Sequence, residues 1–236
     1  MLEALLWGGI AASSLVVGAL LAVVRSWSDR TVGIVLAFGA GALIAAVAFE
    51  LAEAGLELGG PIGMGIGLAI GAVAYFAADR AVERRSGRRG GGATGFPLVL
   101  GALLDGIPEQ AVLGIGLVAG NGVSLALLVS IFVSNLPESI GASADMRADG
   151  RSKRFVMLLW LGVAVLCTLA AIGGRILAEV AAPPVVATID GIAAGALLVM
   201  LIDAMIPEAR KKAGDIAGLA TVVGFAVAAG LSLLGE

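Results

Sequence analysis

The chain has 236 residues, 59% of them hydrophobic and only 14% charged, with a mean hydropathy of +1.05. A soluble domain of this length carries roughly a quarter charged residues, so the composition excludes an ordinary globular protein and points to an integral membrane one. Histidine is absent and Cys167 is the single cysteine, which excludes a disulfide framework and a thiolate metal site and leaves oxygen ligands for any bound ion.

Apolar runs of about 20 residues, long enough to span a bilayer, lie near 4–24, 32–56, 60–79, 95–118, 122–145, 155–178, 186–209 and 215–234. The first starts at Met1 without a basic segment or a small-residue cleavage site, so a retained helix is expected rather than a signal peptide. Ser13 and Ser14 in it read as helix-packing hydroxyls. The second holds the tetrapeptide AGAL at Ala40–Leu43, then Glu50 and Glu53, with Glu57 beyond them at its outer end. Between the third and fourth runs, Arg84–Gly95 reads as a flexible cytoplasmic linker. The fourth contains Asp105-Gly106-Ile107-Pro108-Glu109, and the fifth contains Ser134-Asn135-Leu136-Pro137-Glu138. The sixth has Arg175 and Glu179 in an i,i+4 relation near its outer end. The seventh has Asp190 at its outer end, a second AGAL at Ala194–Leu197, then Asp203 and Glu208.

The basic residues orient these runs. Arg25 and Arg30 follow the first. Arg80, Arg84, Arg85, Arg88 and Arg89 follow the third. Arg147, Arg151, Lys153 and Arg154 follow the fifth, and Arg210, Lys211 and Lys212 follow the seventh. With eight spans all these loops share one face, and only Arg175 lies elsewhere. The positive-inside rule then predicts an all-α protein of a bacterial inner (plasma) membrane, with eight transmembrane helices and both termini outside. The two AGAL segments and the two Pro-Glu segments fall on spans that run oppositely. That predicts a 3+2+3 arrangement with an inverted repeat, as transporters have, with a site near the midplane.

Asp105, Glu109 and Glu138 fall near the middle of their spans. Each carboxylate costs about 2.5–3.5 kcal/mol at the bilayer centre, where leucine would serve packing better, so an ion or proton pathway is expected there. A protonated acid bonded to a neighbouring helix is the alternative. Asp105 and Glu109 are i and i+4 on one face, as are Ser134 and Glu138, with Asn135 beside them. Pro108 and Pro137 leave the carbonyls of Leu104 and Val133 without their helical donors. Two such helices face to face offer about four to six oxygens with net negative charge, which suits a divalent cation. Glu50 and Glu53 toward one mouth, and Asp203 and Glu208 toward the other, read as an acidic pathway that concentrates cations.

This pattern resembles the ZIP (Zrt/Irt-like) family of divalent metal transporters. Pro108-Glu109 and Pro137-Glu138 match the family's fourth- and fifth-span motifs. Leu201–Ala209, LIDAMIPEA, is similar to its seventh-span segment, and Phe38–Ala54, with Gly41, Glu50 and Glu53, to its second. The resemblance implies eight spans in a three-two-three arrangement. It also implies import of Zn²⁺, with Fe²⁺ or Mn²⁺ as co-substrates, and metal ligands at Asp105, Glu109, Ser134, Asn135 and Glu138. Asp105 and Gly106 stand where the family has histidine and asparagine, and Gly162–Ala171 in the sixth span has no acid to complete a second site.

The expected function is therefore a ZIP-like carrier with no prosthetic group, whose substrate is the metal ion and whose surroundings are lipid, not nucleic acid. A homodimer stays open. The rival readings are a proton or other cation carrier using the same acids, a homologue that has lost metal transport, and a sensor or scaffold. An enzyme is not expected, because no nucleophile–base pair is legible.

Overall fold

In this computed structural model, residues 1–88, 95–118 and 123–235 are described, and every regular element among them is helical. Helix α1 spans Leu2–Val24. Helix α2 spans Asp29–Ala46 and continues as a π-helix over Val47–Glu53. Helices α3, α4, α5 and α6 span Ala54–Arg88, Gly95–Gly116, Leu125–Ala148 and Lys153–Val180. Helix α7 spans Pro183–Met200 and runs into a second π-helix, Leu201–Met205. Helix α8 spans Ile206–Ala213 and α9 Ile216–Gly235.

Local chemistry explains many of the ends. Ser28, Ser124 and Ser152 each accept the backbone N–H three residues on, at 3.1 Å, satisfying one free donor at the starts of α2, α5 and α6. Pro183 opens α7, where its missing N–H costs nothing. Helix α3 runs on as far as Arg88, so it takes in the first five residues of the expected linker, Arg84–Arg88. Residues 89–94 of that linker lie outside the described residues.

Among the described residues, six stretches are long and apolar enough to cross a membrane: Leu2–Val24, Asp29–Val82, Leu125–Ala148, Lys153–Val180, Pro183–Ala213 and Ile216–Leu233. The second has 54 residues, which as one straight helix would extend about 80 Å against a hydrocarbon core of about 30 Å. It is broken at Gly60, whose φ of 73° is in the range that glycine alone adopts readily, and Pro61 follows. Its neighbours on α7 show that the chain reverses there. Before the break, Gly55 lies against Asp190 and Gly59 against Pro184. After it, Gly63 lies against Pro184 and Thr188, Gly67 against Thr188 and Gly191, and Gly71 against Ile192. The first part is thus antiparallel to α7 and the second parallel to it.

The closest helix pairs are α3 with α7 and α2 with α9, followed by α4 with α6 and α1 with both α5 and α6. Glycine makes the first two approaches feasible. A methyl group at Gly41 would fall 1.8 Å from the Thr221 carbonyl oxygen, and one at Gly224 would fall 1.9 Å from that of Phe38. On the other pair, a methyl at Gly195 would fall 2.1 Å from the Leu68 oxygen and one at Gly71 would fall 1.8 Å from that of Ile192. Small residues let membrane helices pack by direct backbone contact, which lipid alone does not drive. Phe38 and Ile192 each sit two residues before their AGAL, and Gly41 and Gly195 each occupy its second position. Both π-helices begin at the seventh residue after the first alanine of AGAL. One apolar cluster, with Leu15, Met146, Trp160 and Cys167, joins α1, α4, α5 and α6. Another, with Leu43, Leu51, Leu197 and Leu201, joins α2 to α7.

Candidate functional site

The two proline-glutamate helices, α4 and α5, meet inside the bundle. Glu109 is 1% exposed. Asn135 donates its side-chain N–H to Glu109 Oε2 at 3.1 Å, and the Ser134 hydroxyl approaches Oε1 at 3.5 Å. Ser134 also donates to the Ile131 carbonyl at 3.0 Å. A hydroxyl has one proton, so the bond within α5 is the principal one and the approach to Glu109 the weaker. The neutral residues predicted as ligands therefore hold a predicted carboxyl ligand from the facing helix.

Asp105, one turn before Glu109, belongs to a second pairing. Its Oδ1 accepts the Tyr75 hydroxyl of α3 at 2.5 Å, and its carboxyl is an electrostatic neighbour of that of Glu138. The three acids are electrostatic neighbours: Glu109 feels Asp105, and Glu138 feels both. Thus all five residues expected to bind metal come together on α4 and α5. They are divided into Glu109 with Ser134 and Asn135, and Asp105 with Glu138. Among the described residues no three His, Cys, Asp or Glu side chains converge as a ready metal cluster. The division between two sets of partners is the physical reason.

A cavity of about 460 Å³ opens on the second pairing. Asp105, Pro137 and Glu138 form one part of its wall, and Asp203, Glu208 and Lys212 another. Asp203 and Glu208 thus share a cavity with Asp105 and Glu138. Glu208 is bonded to Lys212 at 3.1 Å. Glu50 and Glu53 do not line this cavity: the Ser232 hydroxyl on α9 donates to Glu50 at 2.5 Å, and Glu53 is exposed. The acids Glu50 and Asp203 each fall within a π-helix, a distortion that recurs at functional sites because it re-aims the side chains around it. Arg175 pairs with Glu179 at 2.9 Å as its spacing predicts, and with Glu3 at 2.6 Å, which ties α6 to α1.

Sequence reasoning missed Tyr75. It is the chain's only tyrosine, and four residues before the expected end of the third span it resembles an interfacial anchor. Because α3 continues to Arg88, Tyr75 is not at a helix end but buried against Asp105. Gln110 was also missed. Its side chain is fully buried next to Glu109, and neither amide atom makes a hydrogen bond among the described residues. A rare buried orphan of this kind marks a polar site.

No family model matches the chain, and no curated protein is similar to it in sequence.

Proposed function

We propose that this protein is a ZIP-like carrier of divalent metal ions, with Zn²⁺, Fe²⁺ or Mn²⁺ as substrate, importing them across a bacterial inner membrane. The observation that carries this reading is the placing of three neighbouring carboxyls, Asp105, Glu109 and Glu138, inside an apolar helical bundle, beside a cavity that Asp203 and Glu208 also line. Carboxyls at such depth are costly unless they serve a charge in transit. In this reading Asp105, Glu109 and Glu138 are the charged ligands, Ser134 and Asn135 the neutral ones, and Asp203 and Glu208 the route from the cavity. Glu50 and Glu53 belong to the opposite mouth.

Eight crossings are part of the proposal. The reversal at Gly60 favours counting Asp29–Val82 as two, and α4 adds one more to the six apolar stretches. The matched glycine contacts of α2–α9 and α3–α7, and the π-helices equally placed after each AGAL, support a 3+2+3 inverted repeat. The basic loops favour termini outside.

The test is metal uptake into liposomes containing the purified protein. Uptake of Zn²⁺ or Mn²⁺ that depends on Glu109 and Glu138 is the expected result. Absence of any metal-dependent flux in a protein that inserts correctly would sink the reading. A second reading, a proton carrier, is favoured by one specific observation, the closeness of the buried Asp105 carboxyl to that of Glu138. Proton flux in metal-free liposomes, lost in Glu138→Gln, would select it.

A further inference from the structure

Asp105 is held differently from the other acids. Glu109 has an amide and a hydroxyl from the facing helix α5. Asp105 has a phenol from a third helix: Tyr75 on α3 donates to Oδ1 at 2.5 Å, and both residues are buried, at 7% exposure each. A buried tyrosine needs a partner for its hydroxyl. It does not need a carboxylate facing the cavity, since a backbone carbonyl would serve as well. The consequence for Asp105 is geometric. The phenol hydrogen engages one lone pair of Oδ1 and restrains the plane of the carboxyl group, so Oδ2 is the oxygen better placed for an incoming cation.

We propose that Tyr75 is a positioning residue that sets which divalent cations the site accepts, by holding Asp105 to coordination through a single oxygen. This rests on the carrier reading above. Ca²⁺ takes six to eight oxygens and uses bidentate carboxylates to reach that number, whereas smaller ions such as Mg²⁺ keep fewer and shorter bonds. A carboxylate with one committed oxygen therefore disfavours calcium-sized ions and leaves Mn²⁺, Fe²⁺ and Zn²⁺ with the contact they need. Where histidine is absent, oxygen chemistry alone does not separate Ca²⁺ from Mn²⁺ strongly, and the phenol supplies a geometric means of doing so.

The experiment is equilibrium binding of Mn²⁺ and of Ca²⁺ to the purified full chain, in the parent, Tyr75→Phe, Asp105→Asn and the double variant. Tyr75→Phe removes one oxygen and keeps the ring. It is expected to narrow the Mn²⁺ preference over Ca²⁺ by about tenfold, the size of one modest hydrogen-bond-scale change. Tighter Ca²⁺ binding should account for most of the change. Asp105→Asn should make a further Tyr75→Phe change silent, because the phenol acts through that carboxylate. An unchanged ratio in Tyr75→Phe, or an equal effect in the Asp105→Asn background, would overturn the inference while leaving the carrier reading intact. A parent that binds neither ion would remove the carrier reading and this inference with it. A second measurement covers a Tyr75→Phe protein that does not insert. The single tyrosine gives one unambiguous phenol band in the infrared difference spectrum of the parent with and without Mn²⁺. That band should shift when Mn²⁺ binds, and a band indifferent to Mn²⁺ would also overturn the inference.

Discussion

Glu109 and Glu138 share a local sequence, each following a proline on adjacent helices, yet their surroundings are opposites. Glu109 is sealed, with donors from Asn135 and Ser134 and almost no exposure. Glu138 is half-buried and faces the cavity, and its polar partner is another acid. One motif thus supplies an anchored carboxyl and an accessible one. In the proposed carrier, such a pair would keep one carboxyl fixed while the other exchanges with whatever enters the cavity. The difference comes from the facing helix. Where α5 offers Ser134 and Asn135 to Glu109, α4 sets Asp105 beside Glu138.

The comparison can be broken by removing each acid in turn. Glu109→Ala leaves the buried Asn135 amide without its acceptor, and should cost roughly 2–4 kcal/mol of stability as well as metal-dependent transport. Glu138→Ala should abolish transport equally, yet cost under about 1 kcal/mol, because water in the cavity can take the place of the lost group. Thermal unfolding in detergent, read beside uptake, separates the two effects. Equal destabilisation would mean that the two environments do not differ in the way their partners indicate. A smaller effect sharpens the same contrast. In a Cys167→Ala background, Glu138→Cys should react with a water-soluble thiol reagent at least roughly tenfold faster than Glu109→Cys, since reactivity follows access and thiolate character. Faster labelling at position 109 would reverse the assignment of the sealed and open sides.

Much of this was legible in the sequence because depth in a membrane makes polarity expensive. Asp105, Glu109, Glu138, Ser134 and Asn135 stand out in apolar runs, and helical spacing alone predicts which share a face. The structure places all five on the facing helices α4 and α5, in two sets. What the sequence did not reveal depends on contacts between distant segments. Nothing near Tyr75 announces Asp105, thirty residues away on another helix. The division of the acids into two pairings depends on how α4 and α5 rotate against each other, which no spacing within either helix sets. The π-helices at Glu50 and Asp203 were equally hidden, because the preceding residues read as ordinary α-helix. The reversal at Gly60 lies at the boundary expected between the second and third spans.

The smallest effect concerns the cavity side itself. Asp203 lines the cavity with its side chain exposed, in company with Glu208, whose charge is already matched by Lys212. An acid in this position raises the local concentration of cations without having to bind them. Asp203→Asn keeps the shape and removes the charge. It should therefore raise the apparent KM for a divalent ion supplied from the cavity side by about two- to fivefold at low salt, with the maximal rate unchanged. The effect should fade near 1 M salt, where the screening length shrinks to about 3 Å. Glu53→Gln, an exposed acid outside this cavity, is the control and should leave the KM from this side unaltered. A fall in maximal rate in Asp203→Asn, persisting at high salt, would place Asp203 among the ligands of the proposed carrier and extend the accessible half of the site from Glu138 into the π-helix that follows α7.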